Sequence, residues 1–124
     1  MMTTRKVEGD ELVIVGKSGE ELFRMEEAFG LPRATVIVFG KITQEAVHDF
    51  VDELTSLALV SDNIAIDFSN TEFIAGGACD ELVGLQQRYF DGKKGRSLVL
   101  TGFSSNVKTE LADMGLLSMF ETGA

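Results

Sequence analysis

Hydrophobic positions change period along the chain, and each change marks an element. Glu11–Gly16, ELVIVG, and Thr35–Gly40, TVIVFG, are short β-branched runs that predict strands. Between them Gly19–Phe29, GEELFRMEEAF, reads two ways. Leu22, Met25 and Phe29 fit helical spacing, while Lys17-Ser18-Gly19 would serve equally as a hairpin turn into another strand. Gly30 and Pro32 mark a boundary before the second strong strand. From Thr43 the apolar residues Ala46, Val47, Phe50, Val51, Leu54, Leu57 and Ala58 recur at steps of three and four, opposite Glu45, His48, Asp49, Asp52 and Glu53. That pattern predicts an amphipathic helix with Thr43 as its N-cap. NIAIDF then predicts a strand, and Phe68–Gly77 a loop at its carboxyl end. A second helix carries Cys79, Leu82, Val83, Gln86 and Tyr89 or Phe90 on one side, and it stops at Asp91-Gly92-Lys93-Lys94-Gly95. RSLVLTG is the next strand. Ser104 or Ser105 would cap a third helix with Val107, Leu111 and Met114 inward and Gly115 at its end.

From Thr35 onward the order is therefore β, α, β, α, β, α. Helices of this length between strands imply parallel pairing through crossovers, so the expected architecture is α/β: a mixed, mostly parallel sheet with helices packed mainly on one face. Ligands of such sheets sit beyond the carboxyl ends of the strands, and Phe68–Gly77 lies at such an end.

Composition narrows what the fold can serve. The 124 residues, 44% hydrophobic and 25% charged, suit one globular domain over 1–124. A net charge of -9, with acids spread along the chain, disfavours phosphate backbones and anionic lipid. No nucleic-acid partner and no membrane insertion are expected. One cysteine gives no internal disulfide framework, and no stretch reads as a leader or an apolar span, so a cytoplasmic location is expected.

The stretch richest in candidate chemistry is Phe73–Leu82, FIAGGACDEL, where a strand gives way through two glycines to a helix. First-turn N–H groups and the helix dipole suit a phosphate or phosphorylated group there, yet no serine, threonine or lysine is present. Elsewhere, Gly16-Lys17-Ser18 lacks the spacing of a phosphate loop, and Asp67, Asn70 and Glu72 lack that of a calcium loop. His48 reads as a surface residue and Cys79 as a buried small side chain. Ser69, Thr71, Ser104 and Ser105 are hydroxyls that could accept a phosphoryl group, though capping and turn formation account for them as well. No catalytic constellation, metal-ligand cluster or cofactor motif emerges, and an enzyme is not expected.

Four segments in order, VIVFGKI, IAIDFSNTEFI, DGKKGRSLVLTG and GFSSNVKTELADMGLLSMF, give residues 34–120 a resemblance to the STAS domain family, with 1–31 a divergent N-terminal segment. The family includes bacterial anti-sigma factor antagonists, stressosome proteins and the cytoplasmic tails of sulfate transporters. The resemblance implies a non-catalytic interaction module in signal transduction and transcription regulation. Its implied partner is a kinase-like anti-sigma factor, and its implied surface is Ala75, Gly76, Gly77 and Ala78 with Asp80, Glu81 and Arg88 as polar contacts. Phosphoregulated members carry Asp-Ser-Ser-Gly or Asp-Thr where this chain has Ala75-Gly76-Gly77-Ala78, so the phosphoacceptor position becomes Gly76 and the switch is absent. An accessory subunit of a membrane transporter, a sensor of a small anion or nucleotide at the glycine junction, and a homo-oligomer stay open as alternatives.

Overall fold

In the computed structural model the described residues are 3–9, 11–16, 18–30, 33–103, 105–113 and 121–123, those at 28–30, 33, 105, 106, 110, 113 and 121–123 by backbone alone. They form a mixed sheet of eight strands and three α-helices. The strands are β1 (Thr4–Glu8), β2 (Glu11–Val15), β3 (Glu21–Gly30), β4 (Arg33–Ile42), β5 (Asn63–Asp67), β6 (Thr71–Ile74), β7 (Ser97–Thr101) and β8 (Glu121–Gly123). The helices are α1 (Val47–Val60), α2 (Gly76–Leu85) and α3 (Ser105–Asp113). Sheet order is β1-β2-β3-β4-β5-β7-β8, and β6 runs beside the far end of β4. From β4 onward every pairing is parallel, as crossover helices require. The first four strands form an antiparallel meander.

That meander settles the ambiguous segment as a strand. Phe23 and Met25 point inward and are fully buried, while Arg24 and Glu26 alternate outward. Gly19 takes a positive φ of 91° in the turn before it, and Gly16 N–H donates to the Glu20 carbonyl at 2.8 Å. Arg24 gathers Glu21 at 2.7 Å, Glu11 at 3.1 Å and Glu8 at 3.8 Å. Hydrogen bonding to Arg24 holds the Glu21 carboxyl below its ordinary range. Part of the acidic excess is thus knitted together on the outer face of the meander.

Alternation in the parallel strands sets the layers. Ala34, Val36 and Val38 of β4, Ile64 and Ile66 of β5, and Leu98 and Leu100 of β7 are buried, and the residues between them are half-buried. Phe50, Leu54, Leu57 and Ala58 of α1 and Ala78, Cys79, Leu82 and Leu85 of α2 join the same core. Phe23 of β3 meets Phe50 edge to face, with centroids 6.0 Å apart.

Several expected boundaries move. Thr43 does not cap a helix with its hydroxyl: its carbonyl accepts from Ala46 N–H at 2.9 Å to close a 3-10 turn over Gln44–Ala46, and α1 starts only at Val47. Phe68–Gly77 is not all loop, because Thr71–Ile74 pairs with Gly40–Ile42 as β6. The second helix widens into a π turn at Gln86–Phe90, where Asp91 N–H reaches the Gln86 carbonyl at 2.7 Å and Phe90, not Tyr89, is the buried ring. In α3, Val107 and Leu111 are buried as expected; Ser104, Met114 and Gly115 lie outside the described residues, as do Lys17 and Pro32. Among the described residues no helix is long and apolar enough to cross a membrane.

Candidate interaction site

The glycine junction is built by three backbone contacts. β6 ends at the buried Ile74, and Ala75 follows in extended conformation at φ -70°, ψ 149°. Its N–H donates to the Ile42 carbonyl at 2.8 Å, which fixes the exit of β6 against the end of β4. Its carbonyl accepts from Ala78 N–H at 2.9 Å and Cys79 N–H at 3.3 Å, and the first turn of α2 closes. Alanine has no side-chain acceptor, so no side chain caps this helix end.

The seven expected contact residues divide by burial. Ala75 and Ala78 are 6% and 0% exposed, so their methyl groups face the core and shape the junction from beneath. Gly76 and Gly77 are half-buried, and Asp80 and Glu81 are exposed on the first two turns. Arg88 is exposed too, but it lies eight residues beyond Asp80, about 12 Å along the axis. Its guanidinium lies 5.9 Å from the centre of the Tyr89 ring, and a Cβ on Gly84 would be 3.8 Å from its Nη2. The structure therefore brings Gly76, Gly77, Asp80 and Glu81 together and sets Arg88 apart.

Four residues join them that the sequence pattern did not single out for the site. Gln44, on the 3-10 turn before α1, lays its amide over Gly77: a Cβ there would come within 2.6 Å of Nε2 and 2.7 Å of Oε1. Gln44, Val47, His48, Val51 and Glu81 line a shallow groove of about 270 Å3 between α1 and α2. His48 Nε2 stands 3.1 Å from Asp52 Oδ2 on its rim. Phe73, the residue that opens the stretch, is 46% exposed and is the large apolar side chain the junction presents to solvent. Glutamine at the start of an amphipathic helix carries no signal of this role; only the packing of α1 on α2 brings it to Gly77.

The other candidates resolve as structural parts. Cys79 is fully buried. The Thr71 hydroxyl is buried and donates to the Val38 carbonyl at 2.9 Å. Asp67 Oδ1 accepts from Ser69 N–H at 2.8 Å and lies against Gly102, whose φ of 66° and missing side chain admit it. Phe68 stacks on Phe103, centroids 6.1 Å apart, to floor that loop. Among the described residues no group of acidic, histidine and cysteine side chains could hold a metal ion.

No protein-family model and no curated protein matches the sequence. Solved structures do match. An anti-sigma factor antagonist from Mycobacterium paratuberculosis aligns with a TM-score of 0.71 at 14% identity, over 81% of this chain and 84% of its own. The anti-sigma factor antagonist SpoIIAA, in its unphosphorylated form, aligns at 0.66 and 16%, over 81% and 88%. An RsbS variant from Moorella thermoacetica aligns at 0.62 and 22%, over 80% and 85%. The chain has the STAS-domain fold. The resemblance seen in its sequence segments is thus a resemblance of architecture, and the mixed sheet with three helices matches the STAS fold.

Proposed function

We propose that this chain is a non-catalytic protein-interaction module of the anti-sigma factor antagonist kind, whose docking surface is the start of α2 and whose engagement is not switched at residue 76. The observation that carries the reading is a helix start made of two residues without side chains. Gly76 and Gly77 start α2 without side chains of their own, half-buried and covered at Gly77 by the movable amide of the exposed Gln44, flanked by exposed Phe73, Asp80 and Glu81 and continued by the groove to α1. Missing side chains let a partner backbone approach closely, Phe73 supplies an apolar anchor, and the carboxylates steer encounter. The structural neighbours support the kind of protein; residue 76 supports the absence of a switch, since glycine has no hydroxyl to phosphorylate. Phosphorylation of a hydroxyl here would add about -1.5 to -2 charges beside Asp80 and Glu81; this chain keeps one electrostatic state instead.

Affinity capture from lysate of the source organism tests the reading, comparing the natural chain with Gly77→Trp. Retention of a kinase-like anti-sigma factor by the natural chain, its loss in the variant and insensitivity to ATP are the expected results. Recovery of transporter components, or of nothing that depends on Gly77, would overturn it. A rise in melting temperature with phosphate, GTP or ATP would instead favour an anion sensor.

A further inference from the structure

β1 is the outer strand of the sheet: it pairs with β2 on one side, and among the described residues no strand pairs with its other side. Such an edge presents a row of main-chain donors and acceptors onto which another extended chain can add as a further strand. All five residues of β1 are exposed. Val7 stands opposite the core residue Leu12, so it lies on the face that carries the helices, yet it is 78% exposed, the most exposed of the large apolar side chains described. Lys6 and Glu8 stand opposite Val13 and Glu11 on the other face. Glu8 lies 3.8 Å from Arg24, which holds Glu11 and Glu21 more closely, and Lys6 has no ion pair among the described residues.

We propose that the open edge of β1 is a self-association surface: it takes β1 of a second copy of this chain, antiparallel, with the two-fold axis at Val7. The order of side chains along the strand selects that occupant. A closed two-fold pairing that sets residue i opposite residue j of the copy also sets j opposite i. With the helices of both copies on one side of a continuous sheet, only residues that share a face oppose each other. Axes at Arg5, Lys6 or Glu8 then set a charge against itself, and an axis at Thr4 slides Val7 and Glu8 past the end of the copy's strand. The axis at Val7 sets Lys6 opposite Glu8 of the copy twice over and buries the two exposed valines against each other. Arg5 then faces Gly9 of the copy, which has no side chain to disturb the bond from Arg5 Nη2 to Glu53 Oε1 at 2.7 Å. With the helices on opposite sides of the sheet, Val7 would instead face Thr4, Lys6 or Glu8. Lys6-Val7-Glu8 is thus complementary to its own reverse in one register. The seam lies three strands from β4, beside which β6 leads into α2, so pairing leaves the glycine junction of each copy free.

Sedimentation equilibrium of the whole chain at concentrations up to about 1 mM tests the pairing. The expected result is a passage from monomer to dimer as concentration rises, with the backbone amides of Thr4–Glu8 shifting in NMR spectra over the same range while those of Asn63–Asp67 stay fixed. Lys6→Glu and Glu8→Lys, both at exposed positions, should each weaken association at least about tenfold, because two favourable cross-strand pairs become two repulsive ones. An equimolar mixture of the two variants should pair as the natural chain does, since each copy then meets two charges of the opposite sign. That rescue also shows that both variants are folded. A natural chain that stays monomeric up to about 1 mM, a dimer that either variant retains undiminished, or a mixture as weakly associated as its components would each overturn the proposal.

Discussion

The amide of Gln44 occupies the space that a side chain at position 77 would need, 2.6 Å from where the Cβ would stand. The contact is with the far end of an exposed, flexible side chain, so Gln44 can yield. Gly77→Ala should therefore change stability by less than about 1 kcal/mol, the gain in helix propensity offsetting the displaced amide. Urea denaturation of Gly77→Ala, Gln44→Ala and the double variant measures it, and the pair should be non-additive by about 0.5 kcal/mol or more. Additive effects would mean that the two residues do not share that space.

Gly40 presents the opposite case. Its φ is 94°, and a Cβ would meet the Leu22 carbonyl oxygen at 2.8 Å, a main-chain atom of β3 next to the Phe23–Gly40 pair. Gly40→Ala combines left-handed strain with a clash that cannot relax, and should cost at least about 2 kcal/mol. Because the register of β4 against β6 shifts between Gly40 and Lys41, the variant should also loosen Thr71–Ile74, the strand that delivers Ala75 to its helix. Faster amide exchange across β6 than across β5 is the expected signature.

These two glycines show where the sequence was legible. The glycine ending TVIVFG was visible as a boundary, but not that it kinks a strand that runs on to Ile42 and takes β6 as a further partner. Strands with β-branched runs and helices with a clean three-four period, such as Glu11–Val15 and Val47–Val60, were readable because one local pattern decides them. β3 was ambiguous because Leu22, Met25 and Phe29 satisfy helical spacing, whereas Phe23 and Met25 satisfy strand alternation; pairing with β2 and β4 on both sides decided it. β1 and β8 carry too few apolar residues to announce themselves, and they exist through their ladders. At the site, Asp80 and Glu81 were placed by the family resemblance together with helical spacing, whereas Gln44 over Gly77 is a tertiary contact 33 residues apart.

Phe23 and Phe50 join the meander to α1, and both are fully buried. Phe50→Ala should cost about 3–5 kcal/mol through lost burial and the cavity it leaves. A double-mutant cycle with Phe23→Leu should return a coupling of about 0.5–1.5 kcal/mol for the edge-to-face contact. A coupling near zero would indicate that the rings contribute area alone.

Arg96 holds the opposite end of the molecule from the glycine junction, and its role was hidden by the lysines beside it. Its guanidinium donates to the Tyr89 carbonyl at 2.9 Å, to the Ser61 carbonyl at 2.9 Å and to the Ala58 carbonyl, so it ties together the carboxyl ends of α1 and of the π turn. It also lies 4.9 Å from the centre of the Phe90 ring and 3.6 Å from Asp62. Each helix end leaves carbonyls without intrahelical partners, and one planar fork satisfies both sets while matching their dipoles. Arg96→Ala should cost about 2–4 kcal/mol, since charged hydrogen bonds are lost and carbonyls are left in a half-buried seam. Arg96→Lys should recover less than half of that, because an ammonium reaches fewer acceptors and cannot lie flat on Phe90. Lys93→Ala and Lys94→Ala, on exposed positions of the same turn, should each change stability by less than about 0.5 kcal/mol. Guanidinium denaturation of the four variants checks the ranking; a lysine that fully restores stability would mean that charge near the helix ends, and not the fork, is what this position requires.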